Sequence, residues 1–558
     1  MVECGTRSPV EKPDAPGEEE GAFGELDSTA RADGTSTEKP SAYTKEAAVR
    51  ASPAEPVLAS WFPVAMRPMA MATTLGAFVL LPYAHPSLAR FRVLTQGISV
   101  FGSDEEAAPV PMSSPEQEVV GEASLPGPTD DQQSRGAELD QAPDNRRGPI
   151  AKAAPLPIPA SLAEDKPPIF LDDPSGKALE KFFGKLVKVE QKEPGAVARI
   201  VYYGDSIVAS DFITGKLRRL MQDRFGDAGH GYAIVANAFP GWFHIDVARK
   251  SSDQWKTSRC IGPFAEDGFY GLGCVSFTAR REGEWFSMGT ADLDKWGTKV
   301  SRFELEYLEQ PDGGDVEFLL DGASHSSLKT SGAEKKLKFH TIEVEDGPHK
   351  MEVRTTSDAP TRLFGMRMER DVPGVTLSAL GITGARAKFL DKQDDAHWAE
   401  SLKAAKPDLV VLAFGTNEVG DGLLAFDDKG QKSKDPMGDY ERNLTRVMEQ
   451  VEAALPEASY MLVGPMDMAS KKAEEGFSKP MVPQIAKHQQ NCATERGWAF
   501  WNQYKAMGGS GSMWAWVQSG LGNPDLIHPT GSGGNTLGKM EYLALMHAYE
   551  AYKAALRK

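Results

Sequence analysis

From Ile169 onward the apolar residues follow one period, change to another, and then return to the first. In SGKALEKFFGKLVKVEQ, Leu179, Phe182, Phe183 and Leu186 fall on one helix face. VARIVYYG reads as a strand, apolar except for Arg199, that breaks at Gly204-Asp205-Ser206. Helical spacing resumes in DFITGKLRRLMQDRF, through Phe212, Ile213, Leu217, Leu220, Met221 and Phe225. Gly226 follows where a helix C-cap is expected. Between 242 and 370 apolar and polar residues alternate in twos, as in GCVSFTAR, LKFHTIEVEDGPHKMEVRTT and TRLFGMRMER. There FELEYLEQPDGGDVEFLLDG reads as a strand pair. Short buried strands and amphipathic helices then alternate again: KPDLVVLAFGTNE, YERNLTRVMEQVEAAL, SYMLVGP, PQIAKHQQNCATERG, WAFWNQY and a last helix from NTLGKM onward.

Strand–helix alternation predicts a parallel sheet covered on both faces, a three-layer α/β/α domain over 166–241 and 371–558. The period-two stretch predicts an inserted antiparallel β sandwich or jelly roll over 242–370. The first 165 residues show neither period. Residues 1–55 are rich in Glu, Ala, Pro, Ser, Thr and Gly and are predicted to be a disordered acidic tail. Residues 56–92 hold an uncharged stretch, Met69 to Ala84. It is shorter than the roughly 20 residues of a membrane-spanning helix and suits a signal-peptide core. Met66-Arg67 offers an alternative start with a charged n-region. A signal peptide and a short membrane anchor both remain open, and both predict an exported, periplasmic or cell-envelope protein. Residues 93–165 read as a Pro-rich acidic linker.

Composition narrows the function. The 558 residues carry a net charge of −17, with no basic run. Such a chain is poorly suited to binding nucleic acid through phosphates. Four cysteines, Cys4, Cys260, Cys274 and Cys492, form no CxxC pair, so no structural zinc is expected. Cys260 and Cys274 read equally as a disulfide or as two buried thiols. Walker A, post-strand GxGxxG, HExxH and GxSxG patterns are absent.

In an open α/β sheet, ligands bind beyond the carboxyl ends of the strands. Ser206 follows the first strand, Gly384 follows the short strand Val375–Leu377, Asn417 follows LVVLAFGTN, and Asp525 and His528 lie in the loop before the last helix. A serine nucleophile needs a base, and a histidine base needs an acid to fix its tautomer. Acyl transfer also needs donors for an oxyanion, which the Ser206 and Gly384 amides and the Asn417 side chain can supply. Each piece alone is a weak signal; together and in this order they are specific.

These blocks resemble the SGNH, or GDSL-type, hydrolases: Gly204-Asp205-Ser206, Gly384, Gly415-Thr416-Asn417-Glu418 and Asp525-Leu526-Ile527-His528. Glu418 stands where the family often has Asp. The resemblance implies a flavodoxin-like fold with Ser206 as nucleophile, His528 as base, Asp525 as its orienter, an oxyanion hole of Ser206, Gly384 and Asn417, and no cofactor or metal. GDSIVASDFITGKLRRLMQDRFGDAGHGY and TRLFGMRMERDVPGVTLSALGITGARA further resemble bacterial cell-wall O-acetylesterases with a carbohydrate-binding-like insertion. Those often carry His after GDS, where this chain has Ile207. The expected activity is removal of O-acyl groups, acetyl foremost, from an acylated polysaccharide or peptidoglycan. An O-acyltransferase on the same residues and a non-catalytic wall-binding protein are the alternatives. Other candidates read first as structural: His230 and His244 as loop residues, Trp242, Trp255, Trp285 and Trp296 as packing, Asp211 as a helix-surface or cap residue, and Asp205 as a turn residue bonding backbone.

Overall fold

The computed structural model describes residue 162 and residues 164–239, 241–292, 295–420, 433–469 and 478–557. The expected acidic tail, the hydrophobic segment and nearly all of the linker lie outside the described residues. Among the described residues no helix is long and apolar enough to cross a membrane.

Five strands form a parallel sheet: β1 (Val197–Gly204) and, after a long insertion, β13 (Gly374–Gly381), β14 (Leu409–Ala413), β15 (Ser459–Val463) and β16 (Ala499–Trp501), in the order β13-β1-β14-β15-β16. This is the flavodoxin-like order, with the reversal of direction at β1. Ile200 lies opposite Leu377 on one side and Leu409 on the other. Successive residues of β1 enter two different cores, as the two-residue repeat of a strand requires. Ile200 and Tyr202 pack with the helices Glu180–Glu190, Phe212–Phe225 and Gly531–Leu556. Val201 and Tyr203 pack with Asp395–Ala405, Pro436–Ala454 and Met481–Arg496. The helices end where the sequence signals it: Gly226 and Gly497 take φ of +113° and +73° after their last turns.

The described residues between β1 and β13 form eleven strands: β2 (Gly231–Ile234), β3 (Val247–Ser251), β4 (Lys256–Arg259), β5 (Val275–Ala279), β6 (Trp285–Thr290), β7 (Val300–Glu309), β8 (Asp315–Leu320), β9 (Ala323–Lys329), β10 (Lys336–Gly347), β11 (Lys350–Thr355) and β12 (Thr361–Glu369). They form two antiparallel sheets, β10-β7-β12-β5-β4 with β2 beside β12, and β3-β6-β11-β8-β9. Phe277 and Leu305 of one sheet and Phe286 and Phe318 of the other share one buried cluster, which runs on into the α/β domain. From β3 onward the chain changes sheet at every connection except β4–β5 and β8–β9, the behaviour of a jelly roll.

Two expectations change here. The strand pair read in FELEYLEQPDGGDVEFLLDG is two strands in opposite sheets: β7 pairs with β10 and β12, and β8 with β9 and β11. The intervening glycines serve a close approach instead of a hairpin turn. A Cβ on Gly313 would sit 2.2 Å from the Thr330 carbonyl oxygen, and one on Gly314 would sit 2.5 Å from the Thr361 hydroxyl. The antiparallel sheet also begins before 242, because β2 pairs with β12. All four β2 residues are buried, so its sequence shows no alternation to mark it as part of the sandwich.

Candidate active site

The first strand delivers Ser206 through a crowded corner. Gly204 and Gly381 lie opposite each other at the ends of β1 and β13. A Cβ on Gly204 would meet Val208 at 2.3 Å, and one on Gly381 would meet the Ala209 amide nitrogen at 2.0 Å. Two bare backbones therefore let the single turn Ser206–Ala209 settle onto the strand ends. Asp205 caps that turn, its Oδ1 accepting from the Ile207 N–H at 3.0 Å. Burial pushes the Asp205 carboxyl up to about 6, against the pull of the Ile207 amide and Thr416.

His528 reaches Ser206 from the loop before the last helix. Its Nε2 lies 2.9 Å from Ser206 Oγ, and its Nδ1 lies 2.7 Å from Asp525 Oδ2. A carboxylate only accepts, so Nδ1 carries the hydrogen and Nε2 is left to accept from the serine hydroxyl. The turn that makes this contact is self-bonded: Asp525 Oδ1 accepts from the amides of Ile527 and His528 at 2.9 and 3.0 Å. Between the two catalytic-type side chains, buried Leu526 adopts φ +63°, a left-handed conformation that costs a non-glycine residue about 1 kcal/mol or more. Its carbonyl is held by the Ala469 amide at 3.0 Å. Burial raises the Asp525 carboxyl, but the amides of His528 and Ile527 and the imidazole together leave it below its ordinary value.

The glycine and asparagine blocks meet each other. Gly384 is exposed with φ +82°, and Asn417 Nδ2 donates to the Ala385 carbonyl at 2.8 Å. One Asn417 amide hydrogen is thus committed to the turn that carries Gly384, and one is left over. Glu418 does not face outward with Asn417. It is buried, accepts from the Ala387 amide at 3.1 Å, and is pushed by burial up to about 7. The longer acid thus pins the turn after Gly384.

Loops of the insertion border the site. Phe243 donates its amide to the Ala209 carbonyl at 2.9 Å, and Ile261 is the nearest neighbour a Cβ on Gly384 would meet, at 3.9 Å. The exposed rings Phe243 and Phe264 stand on these two loops. Periodicity did not single them out, because isolated exposed aromatics carry no pattern.

The remaining candidates sort by contact. Asp211 is the N-cap residue of the helix Phe212–Phe225, as expected, but it is not on the surface and its side chain makes no capping bond. It is fully buried at φ +53°, pairs with buried Arg218 at 2.8 Å, and accepts from the Ile245 amide at 2.8 Å. It fastens the 245 segment to the helix that follows Ser206, a long-range role that local sequence does not reveal. His230 and His244 form a T-shaped pair at 5.6 Å, and burial holds both well below the ordinary imidazole range. Trp242 and Trp255 are buried. Trp296 donates to Asp223 at 2.9 Å, joining the insertion to the helix Phe212–Phe225. Cys260 and Cys274 are free buried thiols. Among the described residues no group of three or more His, Cys, Asp or Glu side chains could hold a metal.

Residues 345–534 match the model of the GDSL-like lipase/acylhydrolase family. The match takes in Gly384, Asn417, Asp525 and His528, while the insertion separates Ser206 from it. The solved structure of a peptidoglycan O-acetylesterase is similar with a TM-score of 0.56 and 22% identity, over 68% of this chain and 99% of that one. At that identity the likeness establishes the fold. A family two carbohydrate esterase from Cellvibrio japonicus (TM-score 0.22, 12% identity, 55% of this chain and 98% of that one) and a catalytic mutant of an acetylxylan esterase from Geobacillus stearothermophilus (0.23, 19%, 32% and 73%) align too loosely to carry an argument. No protein of curated function matches the chain.

Proposed function

We propose that this chain, whose hydrolase domain belongs to the GDSL-like lipase/acylhydrolase family, is a serine esterase that removes O-acetyl groups from a cell-wall or surface polysaccharide. The observation that carries the reading is the Ser206–His528–Asp525 relay, with contacts of 2.9 and 2.7 Å at the carboxyl end of β1. In the first step Ser206 Oγ bonds to the ester carbonyl carbon while its proton passes to His528 Nε2. The carbonyl oxygen becomes an oxyanion, met by the Ser206 and Gly384 amides and by the uncommitted Asn417 hydrogen. The bond to the sugar oxygen breaks, and that oxygen takes the proton from Nε2. Water then attacks the acyl-serine, giving one proton to Nε2; acetic acid leaves as that proton returns to Oγ, and it ionises to acetate in solution. Asp525 keeps the Nδ1–H oriented and stabilises the imidazolium.

The polysaccharide substrate is supported by the insertion, whose loops touch both the serine turn and the Gly384 turn. Location in the cell envelope is part of the same proposal and rests on the uncharged stretch Met69 to Ala84. The test is acetate release from O-acetylated peptidoglycan and from a small aryl acetate, by wild type and by Ser206→Ala. Release by wild type alone, with the variant folded by circular dichroism, supports the esterase. Release from neither substrate would refute it, and release from the aryl ester alone would refute the peptidoglycan substrate.

A further inference from the structure

The inserted sandwich carries an open groove of about 420 Å³ at the β3 edge, within the range of about 300–1,000 Å³ usual for small-ligand sites. It is lined by Asn237, Arg249, Ser252, Asp253, Trp255 and Trp285 among others, none of them in the relay or the oxyanion set. Arg249 is the unusual member. Its Nη1 donates to the Ile234 carbonyl at 3.3 Å and its Nη2 to Asn237 Oδ1, while its Nε is buried without a partner. Arg218, Arg199 and Arg367 are each paired with an acid, Asp211, Glu369 and Glu304 in turn, whereas Arg249, like Arg259, bonds only neutral oxygens. No ion pair to Arg249 exists among the described residues. Burial without that compensation pulls its guanidinium down to about 10. A half-buried cation lacking a counter-charge is the complement of an anionic ligand.

The neighbouring acids do not fill the role. Glu284 accepts from Ser252 Oγ at 2.6 Å and lies 3.8 Å from Arg281. Asp253 is exposed and forms no ion pair among the described residues. Two indoles give the groove its apolar part: Trp255 donates to the Trp285 carbonyl at 3.2 Å and packs on Phe286, while Trp285 is only partly buried. Aromatic faces beside hydroxyls and a guanidinium suit a sugar ring bearing an acidic group.

We infer that this groove binds a saccharide carrying a carboxylate, with Arg249 as its counter-ion and Trp285 against the ring. The inference rests on the polysaccharide reading above and gives that substrate an acidic character. Binding is read by calorimetry on the full chain, with tetragalacturonate and its fully methyl-esterified form as probes. Neither probe carries an acetyl ester, so the result does not depend on turnover. Wild type is expected to bind the acid at least about tenfold more tightly than the ester, as for loss of one charged hydrogen bond. Arg249→Met should erase that preference. Thr257→Glu, at a partly buried lining position of the groove on β4, should weaken acid binding by a similar factor. Equal affinity for acid and ester, no binding of the acid, or a preference that survives in both variants would overturn the inference. Acetate release with no acid preference would refute the groove alone; acid preference with no acetate release would refute the esterase alone.

Discussion

Asn417 and Ala385 are joined by a hydrogen bond of 2.8 Å from the side-chain amide to the backbone carbonyl. Asn417 lies in the short helix Thr416–Gly420 after β14, and Ala385 in the turn after β13. The bond therefore fixes the Gly384 turn to the asparagine that would share its oxyanion.

Asn417→Ala removes both the tie and a donor. The expected loss in kcat is about 10²–10³-fold, with KM little changed, because an oxyanion donor acts chiefly in the transition state. Steady-state kinetics on an aryl acetate check it. A change confined to KM would mean that Asn417 only binds substrate.

Asp525→Asn keeps the size of the side chain but can no longer enforce the tautomer that leaves Nε2 free to accept. A fall in kcat of about 10³–10⁴-fold is expected, with an unchanged circular dichroism spectrum. The side chain is 44% exposed, so its loss should leave the fold intact.

Gly381→Ala tests the crowded corner. The added Cβ would stand 2.0 Å from the Ala209 nitrogen, so the serine turn must move. A stability loss of about 1–3 kcal/mol is expected from overpacking, together with a fall in kcat. Calorimetry and kinetics on one preparation would show both.

Glu418 gives a pH dependence whose sign is fixed by its raised value. Burial holds it near 7 when folded, against about 4.3 when unfolded. Between those values the folded chain binds more protons than the unfolded one, so this group's contribution to stability falls as pH rises and levels off above about 7. Glu418→Gln keeps an acceptor for the Ala387 amide and removes the titration. The variant's Tm relative to wild type should rise from pH 4.5 to 7. A constant difference across that range would contradict the buried acid.

Much of the α/β domain was legible because its strands are mostly apolar and helices such as Phe212–Phe225 and Met481–Arg496 carry an apolar stripe closed by a glycine. Ser206 stood out because glycine, acid and serine follow such a run directly. What escaped was set by distant partners. Asp211 reads locally as a helix-start residue, yet its place is decided by Arg218 and the Ile245 amide. β2 is too short and too buried to announce the sheet it joins, since its partner β12 lies more than a hundred residues on. The crossing of QPDGG between sheets is dictated by Thr330 and Thr361, which no local turn rule includes.

On the proposed mechanism Ser206 becomes acylated with His528 as its base. The most direct measurement is mass spectrometry of the full chain after treatment with a fluorophosphonate. A single adduct on Ser206, absent in Ser206→Ala and strongly slowed in His528→Ala, is the expected result. An adduct at another residue, or ester turnover that persists in Ser206→Ala, would contradict it.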